Sequence, residues 1–124
     1  MFTGQAEDAV RSYVSIFPDA EILHLERYEA HDVGEEGTIK GATFRIADQT
    51  LRCIDSPAVH AFGFTPSVSF FFDCEDEETF QSLFDQLSDD GNVFMPPGPY
   101  PFAQRFAWLS DRFGVSWQLS FAPE

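Results

Sequence analysis

Few side chains of this chain are of types that do chemistry, and their spacing is sparse. There are 3 histidines, His24, His31 and His60, and 2 cysteines, Cys53 and Cys74. His60 stands alone in a loop-like stretch with no carboxylate in register, so a structural or exposed imidazole is weighed above a base or a ligand. His24 and His31 read as exposed, in an edge strand and a loop. Neither cysteine has a CxxC partner or a histidine at a telling spacing. Both read as small buried hydrophobes in a reducing cytosol, weighed far above catalysis. No Ser-His-Asp order or paired-carboxylate motif rises above chance among 21 acidic residues. Aromatic residues offer more. Trp108 shares a strand face with Phe106 and Ser110, and the loop residues Tyr100, Phe102 and Arg105 can rim an apolar pocket beside it. A plain aromatic core and dimer interface explains the 15 phenylalanines and 2 tryptophans at least as well.

The elements that must position these residues follow from periodicity. Val10, Tyr13, Val14 and Phe17 make one helical stripe over 6–17, closed by Pro18. Strand signals cover 21–28, then 38–46 and 50–55, the last two joined by a turn at Asp48-Gln49. A connecting segment runs from Ser56 to Pro66. A strong strand follows over 67–74, with Val68, Phe70 and Phe72 on one face and Ser67, Ser69, Phe71 and Asp73 on the other. The second helix has Asp76 as N-cap, Phe80, Leu83, Phe84 and Leu87 as its stripe, and Gly91 as its stop. A short strand over 92–95, a proline-rich loop over 96–101, and strands over 106–110 and 116–121 complete the chain.

Both halves therefore run strand, helix, three strands, and their helix stripes coincide at an offset of 70, Val10 onto Phe80 and Phe17 onto Leu87. The opening strand of the first half is clipped to about residues 1–3. The fold class is α+β: one domain over 1–124, built of two βαβββ modules of curled mixed sheet, at approximately 1–56 and 66–122. A net charge of −14 repels phosphate backbones and anionic membrane surfaces, which sets nucleic acid and membrane aside. No signal-like segment opens the chain, and no apolar run approaches a membrane span, so a cytoplasmic location is expected.

Several motifs carry a family resemblance: His60-Ala61-Phe62-Gly63-Phe64-Thr65-Pro66, Met95-Pro96-Pro97-Gly98-Pro99-Tyr100-Pro101-Phe102, and above all Asp111-Arg112-Phe113-Gly114-Val115-Ser116-Trp117-Gln118. With the paired βαβββ plan, the chain resembles the PhnB-like branch of the vicinal-oxygen-chelate superfamily, which includes glyoxalase I, bleomycin-resistance proteins and extradiol dioxygenases. The resemblance implies a glyoxalase/bleomycin-resistance fold and a homodimer. Members often carry a demethylubiquinone-methyltransferase label, yet no glycine-rich strand-to-helix turn for a nucleotide-like cofactor is present.

In superfamily enzymes the metal ligands come from the first and fourth strands of each module. Carried over, these positions hold Gln118 in the last strand, where metal-using relatives have a glutamate, Arg52 by the repeat, a place near Ser67, and one that falls before Met1. An amide oxygen ligates weakly, and a guanidinium has no lone pair to give. No cofactor is expected, and a divalent metal is disfavoured. Arg52 suggests instead an anchor for an anionic group, although a salt bridge to an acidic residue is weighed above it. The first expectation is a metal-free, small-molecule-binding protein with Arg52, Ser67, Tyr100, Phe102, Arg105, Trp108 and Gln118 as pocket candidates. The alternatives are a metal-dependent lyase or dioxygenase that recruits Gln118, and a structural dimer with a filled cup.

Overall fold

The apolar stripes of the sequence become the faces of two helices, and each helix packs on its own sheet. The computed structural model describes residues 1–123. Two helices and seven strands form among them, and the chain divides into two units, Met1–Ala61 and Phe62–Glu124.

In the first unit, α1 spans Ala6–Ile16 and buries Ala6, Ala9, Val10 and Tyr13, with Phe17 buried just beyond it. Strands β1 (Ala20–Arg27), β2 (Ile39–Ile46) and β3 (Gln49–Cys53) make an antiparallel sheet in the order β1-β2-β3. Alternation along β2 turns Ala42, Phe44 and Ile46 inward, and Tyr13 stacks on Phe44 with ring centroids 6.4 Å apart. Burying each such ring stabilises the unit by about 1.5–3 kcal/mol. The opposite face carries the cross-strand pairs Thr43–Arg52 and Arg45–Thr50. The hairpin turn lies one residue earlier than expected: Gln49 already pairs with Ile46, and Ala47 takes the positive φ of 53°. The clipped opening strand is a single parallel bridge, in which Phe2 donates to the Ile54 carbonyl at 2.8 Å and accepts from the Ser56 N–H at 2.8 Å.

A buried carboxylate ties this unit together. Asp55 is 2% exposed. Its Oδ1 accepts from the N–H groups of Gly4 (2.7 Å) and Ala6 (3.0 Å), and its Oδ2 accepts from the Ile39 N–H (2.8 Å). Its carbonyl accepts from the Tyr28 hydroxyl at 3.0 Å. Gln5, at the N-cap of α1, makes no side-chain capping bond, so Asp55 supplies an acceptor for the helix start from across the fold.

In the second unit, β4 (Phe70–Asp73), α2 (Glu77–Ser88), β5 (Asn92–Tyr100), β6 (Ala103–Ser110) and β7 (Ser116–Phe121) form a mixed sheet in the order β4-β7-β6-β5 beneath one helix. β4 runs parallel to β7 and the other pairs are antiparallel. This is the expected βαβββ order. Helix α2 opens as the sequence suggests: the Asp76 carboxylate accepts from the Thr79 N–H at 2.7 Å, and this bond holds its carboxyl below the usual range. Phe80, Leu83 and Leu87 are buried, and Phe84 is half-buried.

Three expectations need correction here. The strand placed over 67–74 is only Phe70–Asp73, because Pro66 and the Ser67 N–H bond to the Thr65 hydroxyl (3.2 Å) hold the preceding residues in a turn. The stretch 96–101 is not a loop: β5 runs on to Tyr100 through Pro96, Pro97 and Pro99. It can do so because β5 is an edge strand with register shifts, where a missing N–H faces away from the ladder. The left-handed residue after α2 is Asp90 (φ 59°), not Gly91. Gly91 serves a close approach instead, since a Cβ there would fall on the Ser110 carbonyl oxygen.

Candidate functional site: the open face of the second sheet

The two faces of the β4-β7-β6-β5 sheet divide by chemistry. Trp117, Leu119, Leu109 and Ala107 are buried on the helix side. The other side carries Phe71, Gln118 and Trp108 in one row and Asp73, Ser120 and Phe106 in the next. Alternation in β6 and β7 was therefore read correctly, including the outward placement of Gln118.

A turn delivers Gln118 to this face. Asp111, 5% exposed, accepts from the N–H groups of Phe113 (2.9 Å) and Val115 (3.0 Å) on Oδ1 and from the Trp117 indole N–H (2.9 Å) on Oδ2. Gly114 takes φ 92°, which costs glycine little. With Trp117 pinned on the helix side, the next residue must point the other way. The stretch that carries the family resemblance thus builds a turn that fixes the position of Gln118.

Around Gln118 the face is aromatic. Trp108 is half-buried, donates its indole N–H to the Ser116 hydroxyl at 2.9 Å, and lies 4.8 Å from the Phe94 ring. The Ser116 oxygen is 2.6 Å from that of Ser69. Phe71 is 56% exposed on the other flank. The Gln118 side chain is half-exposed and makes no hydrogen bond among the described residues.

The candidate residues separate. Trp108, Gln118 and Phe106 share this face. Tyr100 and Phe102 lie at one end of it, 5.7 and 4.8 Å from Phe106 by ring centroid. Arg105 is on the helix side, 5.2 Å above Phe80 and bonded to the Gln81 side chain at 3.1 Å, so it lines no surface with Trp108. Ser67 lies in the turn before β4, exposed, with its hydroxyl 2.5 Å from that of Thr65. Arg52 belongs to the first unit, is exposed, and forms none of the expected salt bridge among the described residues. His60 is exposed and its Nε2 is 2.8 Å from the Ser56 hydroxyl. Phe71 and Phe94 were not singled out from sequence. The available signal was an apolar Phe71 among Ser69 and Asp73 on the polar side of its strand.

Neither thiol is built to react. Burial pushes Cys53 up to about 11, with Asp55 adding to it, and Cys74 up to about 12, with Asp73 and Asp76 adding. A raised thiol value keeps the neutral form at pH 8. Alkylation of the native chain by iodoacetamide at pH 8 is therefore expected to be at least about a hundredfold slower than that of a free thiol. A native rate within about threefold of the denatured one would contradict the assigned burial.

Among the described residues no group of three His, Cys, Asp or Glu side chains is placed to hold an ion. By type, Gln118, Ser67 and Arg52 offer one weak oxygen donor, one hydroxyl and one cation. The link from β4 to α2 is Cys74-Glu75-Asp76, with no glycine and with Asp76 already occupied as the cap.

The comparisons with known proteins agree with this architecture. The family model described as 3-demethylubiquinone-9 3-methyltransferase matches residues 1–120. The chain belongs to this family, the PhnB-like branch. It is 46% identical to a PhnB protein from Bacillus cereus assigned provisionally to the 3-demethylubiquinone-9 3-methyltransferases, with a TM-score of 0.95, covering 98% of this chain and 95% of that one. The protein PA1353 from Pseudomonas aeruginosa shares the fold at 24% identity and TM-score 0.86, covering 99% and 93%. So does a member of the glyoxalase/bleomycin resistance protein/dioxygenase superfamily from Sphaerobacter thermophilus, at 18% identity and TM-score 0.51, covering 98% and 91%. No curated protein matches the chain. The PhnB-like family and the fold read from the sequence are thus correct, and no helix among the described residues is long and apolar enough to cross a membrane.

Proposed function

We propose that this PhnB-like chain is a cytoplasmic, homodimeric small-molecule-binding protein that works without a glyoxalase-type metal. The observation that carries the reading is Gln118: a primary amide with no partner among the described residues, set between the exposed Phe71 ring and the half-buried Trp108 indole. Apolar walls with a few directed polar groups are what small-molecule sites offer. Pairing with a second copy is supported by apolar side chains left exposed in the chain, among them Phe62, Val68 and Phe102.

Two measurements on untagged protein test this. Elemental analysis after incubation with zinc, nickel, manganese and iron is expected to find far less than one metal ion per chain. Titration with small aromatic compounds is expected to quench tryptophan fluorescence saturably, and Trp108→Leu to abolish most of the change. One transition metal per chain, lost in Gln118→Ala, would replace this reading with a lyase or oxygenase.

A further inference from the structure

The polar groups of the open face define the chemistry of what it takes. Gln118 is the middle residue of a row, in register with Phe71 on one side and Trp108 on the other. Trp108 cannot offer its N–H to a ligand, because Ser116 already accepts it at 2.9 Å. It offers a ring held in place by that bond and by Phe94. Ser116 and Ser69 share one hydroxyl proton across 2.6 Å, which leaves one hydroxyl proton between them to donate. Among the described residues that register places on these rows, Asp73 alone is charged, and it stands at the exposed end opposite Ser120. The centre is therefore flat, aromatic and uncharged, with an amide that presents an adjacent donor and acceptor.

Resting on the small-molecule reading above, we infer that the ligand is a planar heteroaromatic of neutral or positive charge that presents a neighbouring N–H and C=O, or an equivalent donor–acceptor edge. A flat ring matches the surfaces of Phe71 and Trp108. A donor–acceptor edge pairs with a glutamine amide through two hydrogen bonds, the same complementarity by which Asn and Gln read a purine edge. Asp73 and the net charge of −14 oppose anions.

The test is a ligand-observed NMR titration of the full chain with 2-quinolinone, its N-methyl derivative, naphthalene and 2-quinolinone-4-carboxylate, alongside Gln118→Leu and Trp108→Leu. 2-Quinolinone is expected to bind about tenfold more tightly than the N-methyl compound, as one lost hydrogen bond implies. Gln118→Leu should erase that ratio, Trp108→Leu should weaken every ring, and the carboxylate should bind worst at low salt. Equal affinities for the two quinolinones, or a ratio that survives Gln118→Leu, would overturn the inference and leave the small-molecule reading standing. If no ring binds and Phe71→Asp converts a sedimenting dimer into a monomer, a second copy occupies this face and both proposals fall.

Discussion

Replacement of Asp111 by alanine is expected to destabilise the protein by about 4 kcal/mol, a large part of the stability of a domain this size. The carboxylate satisfies three donors, the N–H groups of Phe113 and Val115 and the indole N–H of Trp117, and it is almost fully buried. Each donor left buried without an acceptor costs about 1–3 kcal/mol, and water entering the vacated space recovers part of the sum. Asp111→Asn separates the two oxygens. Its remaining carbonyl can still serve the two backbone groups on the Oδ1 side, whereas its NH2 meets the indole N–H donor to donor. About 2 kcal/mol is expected there. Adding Trp117→Phe removes the conflicting donor, so the two changes should combine to less than their sum. Urea denaturation of the wild type, Asp111→Ala, Asp111→Asn, Trp117→Phe and the Asp111→Asn/Trp117→Phe pair measures all of this. A loss below about 1 kcal/mol for Asp111→Ala would mean that the Gly114 turn closes without its carboxylate.

This role was not legible in the sequence, and the reason is physical. Periodicity reports which face a side chain takes, and it correctly separated Ser116, Gln118 and Ser120 from Trp117, Leu119 and Phe121. It says nothing about which buried carboxylate collects which N–H groups, because those donors become neighbours only when the turn forms. Strand bounds were legible where one face is buried, as in β2 and β7, and failed where an edge strand has no such constraint, as in β4 and β5. Prolines misled at β5 because they are incompatible with a central strand and compatible with an edge. For the site, alternation brought Trp108 and Gln118 together correctly. Arg105, expected in a loop at the rim of Trp108, lies within β6 instead, where 105 and 108 fall on opposite faces. Arg105 shows the consequence: its Nε is buried without a hydrogen-bond partner, and its guanidinium covers Phe80. That is packing against a helix, not a rim around a ligand.

Replacement of Asp55 by alanine is expected to cost about as much, and its signature should differ. Asp55 joins three segments far apart in sequence: Gly4 and Ala6 at the start of α1, Ile39 at the start of β2, and Tyr28 through its carbonyl. The carbonyl bond belongs to the backbone and survives the substitution, but three N–H donors lose their acceptor. The first turn of α1 also loses a negative charge at its positive end, with no capping bond from Gln5 in reserve. The expected loss is about 4 kcal/mol, and amide exchange should accelerate first at Ala6 and Ile39 rather than uniformly. Neither Gln5→Asp nor Gln5→Ser is expected to restore wild-type stability, because a new cap can reach the helix amides while Ile39 remains unpaired. Full rescue by either change would show that Asp55 acts only as a helix cap. Partial rescue, with Ile39 still exchanging fast, would show that one carboxylate holds the helix and the sheet of the first unit together. That second outcome follows from the arrangement, in which Oδ1 faces the helix and Oδ2 faces the strand.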